Sequence, residues 1–193
     1  MIWGAFAISS AIPIAVAAAS PLIAWRDPIY IAAGLAGVIA LVLMLAQPLL
    51  IGGYLPGLSA LRRRKIHRWI GSVLVATVVA HIIGLWITSP PDVVDALLFR
   101  SPTQFSVWGV IAMWAVFATA LLAALRSRLR LHMWRLGHIT LVTIAIVGSL
   151  VHAMQIEGTM GIVSKTVLCA MVLLATVKVV VDLRLWAIRT RRA

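Results

Sequence analysis

Residues 66–84 read IHRWIGSVLVATVVAHIIG, an apolar run with one charged residue, Arg68, and a histidine toward each end. About 20 apolar residues are enough for an α-helix to cross the roughly 30 Å hydrocarbon core of a bilayer. The two histidines, His67 and His81, stand at positions i and i+14. That separation corresponds to a rise of about 21 Å and nearly four full helical turns, so it predicts two rings on one face, near opposite sides of a membrane.

A second run repeats this spacing. Residues 136–156 read LGHITLVTIAIVGSLVHAMQI, and His138 and His152 again stand at i and i+14. If both runs cross the membrane in the same direction, His67 and His138 share one depth, and His81 and His152 share the other.

The composition indicates that lipid is the solvent. Hydrophobic residues make up 63% of the 193-residue chain and charged residues 11%, whereas a soluble domain is about half apolar and a quarter charged. The mean hydropathy is +1.07. The net charge of +12 does not indicate nucleic-acid binding, because the basic residues form short clusters between apolar runs. The single cysteine, Cys169, excludes an internal disulfide.

These features predict an all-α integral membrane protein with one domain over residues 1–193. Six spans are expected, near residues 2–24, 29–50, 66–88, 105–125, 136–156 and 161–181. The first resembles a signal peptide, but it lacks a basic leading segment and its apolar stretch is long, so we interpret it as a span. The connections are too short for a soluble domain, and no Gly-rich phosphate loop is present.

Charge orients the predicted bundle. The second connection carries five Lys or Arg residues, the fourth four and the C-terminal end five, of 17 in the chain. Basic connections remain in the cytoplasm. Both termini are therefore predicted to be cytoplasmic, in a multi-pass protein of the plasma (inner) membrane.

Two imidazoles that face each other in an apolar bundle suit a six-coordinate haem iron, which binds two neutral imidazoles and is held between helices. We therefore predict two haems, an inner one held by His67 and His138 and an outer one held by His81 and His152. Small residues near the histidines allow a flat ring to approach the backbone. The candidates are Gly71, Gly84, Gly137 and Gly148.

The same residues are open to other interpretations. A single intramembrane histidine often only forms a hydrogen bond between helices. The chain could also be a small transporter or assembly factor whose histidines bind metal ions or protons, although transport usually requires intramembrane carboxylates, and the five acids lie near span ends. His132 is expected at the interface, as are the belt tryptophans Trp69, Trp86, Trp108 and Trp134.

The arginines nearest the inner histidines have two possible roles. Arg68 and Arg135 could bind the anionic haem propionates. They could instead serve only as topology signals.

The motif RKIHRWIG at residues 64–71, followed by His81, resembles the third helix of the ferric reductase-like transmembrane family. WRLGH at residues 134–138, followed by His152, resembles that family's fifth helix. The family includes ferric reductases, the membrane part of NADPH oxidases and the haem subunit of a bacterial methionine sulfoxide reductase system. The resemblance implies two b-type haems with His67, His81, His138 and His152 as ligands, and an oxidoreductase or an oxidoreductase subunit.

Ferric reductases and NADPH oxidases carry a flavin and nicotinamide domain after the bundle, but this chain ends soon after its sixth span. It resembles the stand-alone members of the family. We therefore expect a separate electron donor, either a flavoprotein or a membrane quinol, and an acceptor that the sequence does not identify. Membrane lipid is the other expected partner.

Overall fold

The computed structural model of the protein describes the backbone of residues 2–192 and the side chains of residues 2–21 and 23–182. Over residues 2–192 the chain is helical, without a β-strand. The α-helices of this described part are α1 (Ile2–Ala18), α2 (Pro28–Gly52), α3 (Ala60–Thr88), α4 (Pro90–Leu97), α5 (Gln104–Ala124), α6 (Leu131–Gln155) and α7 (Ile162–Arg192).

Five of the described helices, α2, α3, α5, α6 and α7, are long and apolar enough to cross a membrane. They correspond to the second to sixth predicted spans, which supports a multi-pass membrane bundle. Which side the termini face stays a prediction. The short helix α4 was not predicted, and it connects α3 to α5 with Asp92 in its first turn.

The first predicted span, residues 2–24, is shorter in the structure. Helix α1 has 17 residues and ends at Ala18, which gives it a length of about 26 Å. Pro21 follows closely, and a proline ring sterically disfavours the helical conformation of the residue before it. Trp25 then adopts a left-handed φ of 67°, so the chain turns before α2 begins.

Helix α3 begins six residues before the predicted span. Ser59 caps it, since its hydroxyl accepts a hydrogen bond from the backbone N–H of Arg62 at 3.4 Å. The 29 residues of α3 extend about 43 Å, more than the hydrocarbon thickness. The basic residues at its start are therefore helical and can lie outside the apolar layer.

Two antiparallel hairpins, α2 with α3 and α5 with α6, form the centre of the fold. A Cβ built at Gly84 of α3 would lie 2.7 Å from Cβ of Ala33 in α2, and one at Gly148 of α6 would lie 3.1 Å from Cβ of Ala112 in α5. Close approach of the backbones thus fixes each hairpin. Helix α7 packs on α2 and α6, and α1 packs on α2 and α7.

Lys165 is a buried lysine near the start of α7, with 5% of its surface exposed. Its ammonium donates to the carbonyl oxygens of Met154 at 3.2 Å and Ile156 at 2.7 Å. These carbonyls lie at the C-terminal end of α6, where backbone acceptors lack partners in their own helix. Lys165 therefore joins α6 to α7, which accounts for a basic residue at the end of the bundle predicted to be poor in them.

Candidate functional site

The four paired histidines lie on α3 and α6, near both ends of the bundle. His67 and His138 come together near the starts of their helices, with ring centroids 6.5 Å apart and ring planes inclined by 71°. We call this the inner end. His81 and His152 lie at the opposite, outer end, close enough to interact electrostatically. The helices that carry them pack mainly on α2 and α5 rather than on each other.

Backbone carbonyls hold both outer rings. The Nδ1–H of His81 donates to the carbonyl oxygen of Ala33 in α2 at 2.7 Å. The Nδ1–H of His152 donates to the carbonyl oxygen of Phe105, in α5, also at 2.7 Å. A carbonyl only accepts, so Nδ1 carries the proton and Nε2 is the unprotonated nitrogen that can bind a metal.

A glycine lies against each outer ring, one turn after the residue that supplies the carbonyl. A Cβ built at Gly37 would lie 3.3 Å from Cε1 and Nδ1 of His81. One built at Gly109 would lie 2.7 Å from the same atoms of His152. The two hairpins thus repeat one arrangement of histidine, carbonyl and glycine, in which the imidazole lies directly on the neighbouring backbone.

The inner rings are held differently. Among the described residues, the buried side-chain polar atoms without a hydrogen-bond partner are Oε1 of Gln47, Nδ1 of His67, Nε1 of Trp134 and Nδ1 of His138. The Gln47 backbone lies beside the His67 ring, although Nδ1 does not reach hydrogen-bond geometry with it. The two Nδ1 atoms and the Trp134 indole therefore belong to the inner pair, and Gln47 adjoins the pair through its backbone. Buried polar groups normally have partners.

Trp134 contacts one of the inner histidines directly. Its indole stacks on the His138 ring, with centroids 5.1 Å apart and planes 14° apart. The guanidinium of Arg126 lies 5.0 Å from the indole centroid. Trp69, by contrast, is 68% exposed, as expected of an interfacial residue.

The donor set fits a haem. A metal–imidazole bond of about 2 Å places two rings on opposite sides of one ion with centroids about 6 Å apart, close to the separation of His67 and His138. Within the described side chains, no group of three or more His, Cys, Asp or Glu residues is arranged to hold a metal ion. A haem iron needs only two protein ligands, because the macrocycle supplies the rest.

The predicted arginines lie beside the inner pair in sequence but are exposed, as is His132. Arg68 is one residue after His67, about 100° away around the helix axis, and Arg135 is about 60° from His138. Trp134, four residues before His138, lies on its face. The contact of Trp134 with His138 was not predicted, because the site residues were chosen by adjacency in the chain rather than by position around the helix.

The predicted glycines have varied neighbours. Gly84 and Gly148 contact the facing helix of their own hairpins, and Gly137 lies near Leu122. A Cβ at Gly71 would be 3.5 Å from Nε2 of Gln47. The glycines that touch the outer rings, Gly37 and Gly109, were missed, because they lie on helices without a paired histidine.

Residues 30–149 match the sequence profile of the ferric reductase-like transmembrane component family. This match covers more than half of the chain. The protein belongs to the ferric reductase-like transmembrane family. No curated protein and no solved structure gave a significant match.

The predicted family membership is thereby confirmed. The ferric reductase-like region runs from the start of α2 into α6 and includes His67, His81 and His138, while His152 lies just beyond it. Ferric reductase-like transmembrane domains generally bind haem, and the family suggests a role in electron transfer across the membrane.

Proposed function

We propose that this ferric reductase-like protein is a b-type cytochrome that carries electrons across the membrane through two bis-histidine haems. His67 and His138 would hold the inner haem, and His81 and His152 the outer haem. The observation that carries the proposal is one pair of imidazoles at each end of α3 and α6, with the inner rings 6.5 Å apart. A haem held by two of these histidines would supply one-electron redox chemistry.

The protein's own groups would keep the histidine ligands neutral and oriented toward the iron. The carbonyls of Ala33 and Phe105 hold the Nδ1 protons of the outer rings, so the opposite nitrogens are available to bind iron. Such a hydrogen bond also makes an imidazole a stronger ligand. Gly84 and Gly148 would contribute by holding the helices of each hairpin together, and Gly71 by leaving space beside Gln47.

Anionic propionates need donors and positive charge, and the inner end offers both. Arg68 and Arg135 remain candidates, because exposed guanidinium groups on long side chains can reach around a helix. The unpaired Nε1–H of Trp134 is a further donor on the His138 face. We place the protein in the plasma membrane, with the inner end toward the cytoplasm, where its basic residues would also contact anionic lipid.

Purified protein is expected to contain two non-covalent haems per chain, both low-spin in the ferric and ferrous states. The reason is that each end supplies two axial imidazoles, and the sequence contains no CxxCH attachment motif. Haem extraction with quantitation, together with a reduced-minus-oxidised spectrum, measures this. One haem per chain at full incorporation would refute the paired arrangement, and absence of haem would favour the metal or proton transporter instead.

NADH or NADPH alone is expected to leave the haem spectrum of the purified 193-residue chain unchanged, because its sequence offers no nucleotide-binding loop. A flavin reductase with its nicotinamide, or a quinol, is expected to produce the reduced spectrum in stopped-flow absorbance. Dithionite provides the control, since it should reduce the protein without a partner. Rapid reduction by NADPH without flavin or another protein would contradict the need for a separate donor.

A further inference from the structure

The ring of His138 is held by a different kind of contact from the outer rings. Backbone carbonyls accept the Nδ1–H groups of His81 and His152. Nδ1 of His138 is buried and has no hydrogen-bond partner among the described residues. Its ring instead lies on the Trp134 indole, with centroids 5.1 Å apart and planes 14° apart. Rotation of the imidazole about its Cβ–Cγ bond would separate the two faces, so the stack opposes that rotation.

Trp134 is in turn held by the connection that precedes α6. It lies in the first turn of that helix, four residues before His138 and on the same face. The guanidinium of Arg126, in the short 3-10 turn Arg126–Arg128, lies 5.0 Å from the indole centroid. A cation over an indole face is attracted by the ring quadrupole. Arg130, at the N-cap of α6, makes no side-chain capping hydrogen bond. The contact between Arg126 and Trp134 therefore fastens the uncapped start of this helix.

Trp69 provides a comparison at the same end of the bundle. It lies two residues after His67 on α3, and it is 68% exposed, as suits an indole that faces the membrane interface. Nε1 of Trp134 is buried and unpaired. Of these two tryptophans, Trp134 is the one whose ring contacts a paired histidine.

We propose that Trp134 is the positioning residue of the inner site. Its indole fixes the plane of the His138 ring, and it thereby maintains the steep angle of 71° between the rings of His67 and His138. This inference rests on the proposed haem function. It assigns the inner site a replaceable side chain where the outer site uses backbone carbonyls.

The angle between two axial rings has a direct spectroscopic consequence. In a low-spin ferric haem, the imidazoles interact with the iron dxz and dyz orbitals. Parallel rings act on one of these orbitals and separate their energies, whereas perpendicular rings act on both and leave the energies nearly equal. The largest g value of the electron paramagnetic resonance (EPR) spectrum rises as this separation falls. That g value therefore reports the orientation that we assign to Trp134.

The test compares Trp134→Leu with Trp134→Phe by low-temperature EPR in a His81→Ala background, which is expected to retain the inner haem alone. Trp134→Leu removes the stacked ring, so we expect a lower largest g value and about tenfold weaker haem binding. Trp134→Phe keeps an aromatic face but lacks the indole N–H, and both properties should stay close to those of the parent. The phenylalanine variant thus separates stacking from any hydrogen bond that Nε1 offers to a propionate.

Trp69→Leu in the same background is the matched control, because it removes an exposed indole from the same end and should leave the g value unchanged. Loss of the inner haem in Trp134→Leu but not in Trp134→Phe would also support the role of the stacked ring. A g value unchanged in Trp134→Leu, or one that falls as far in Trp134→Phe, would overturn that role and leave the haem proposal intact. Wild-type protein without haem would overturn both.

Discussion

Replacing His81 with alanine is expected to abolish the outer haem and leave the inner haem in place, and His152→Ala is expected to give the same spectrum. Both axial imidazoles are needed for one low-spin iron, so loss of either should remove the same site. His67→Ala and His138→Ala should likewise share one phenotype, loss of the inner haem. Haem quantitation with low-temperature spectra of the four variants measures these losses, each expected to be half of the bound haem.

The double variant His81→Ala/His152→Ala distinguishes shared sites from separate ones. It should lose no more haem than either single variant, because residues that act as one unit are not additive. His132→Ala is the matched control, since His132 is exposed at the start of α6 and its removal should leave both spectra intact. A double variant without any haem would show that His81 and His152 belong to different sites.

The parts of this fold that follow from sequence are those governed by periodicity. Positions i and i+14 lie on nearly the same face of a helix, and the repeat of this spacing on two spans of the same direction predicts that His67 lies at the depth of His138. The structure brings these two rings together. The five long spans are also predictable, because length and hydropathy decide them.

The remaining features depend on which helices face each other, and the periodicity of the sequence does not specify that. The contacts of Gly37 and Gly109 with the outer histidine rings can be recognised only when α2 is packed on α3 and α5 on α6. Trp134 fits an interfacial belt by its position near a span end, although its spacing of four from His138 was a usable signal for a shared face.

Gly109→Ala is expected to weaken outer-haem binding severely, and Gly37→Ala only mildly. The added methyl carbon at position 109 would lie 2.7 Å from Cε1 and Nδ1 of His152, closer than packed carbon atoms tolerate, whereas at position 37 the distance to His81 is 3.3 Å. Displacement of the His152 ring would also break its hydrogen bond to Phe105. Loss of such support typically weakens metal binding about 10–100-fold, and haem titration of apoprotein with absorbance detection measures it.

Helix propensity alone would make Gly109→Ala stabilising. A loss of outer-haem binding in this variant would therefore point to the contact with the His152 ring. Alanine is favoured over glycine inside a helix by about 1 kcal/mol, so Gly109→Ala should not weaken α5 itself, and the inner haem should be retained. Gly4→Ala in α1 is the matched control, because a Cβ there meets no atom within 4 Å. If Gly109→Ala binds the outer haem as tightly as Gly37→Ala does, the contact between the His152 ring and the α5 backbone does not position that ring. The arrangement of histidine, carbonyl and glycine that the two hairpins share would then have no part in holding the haem.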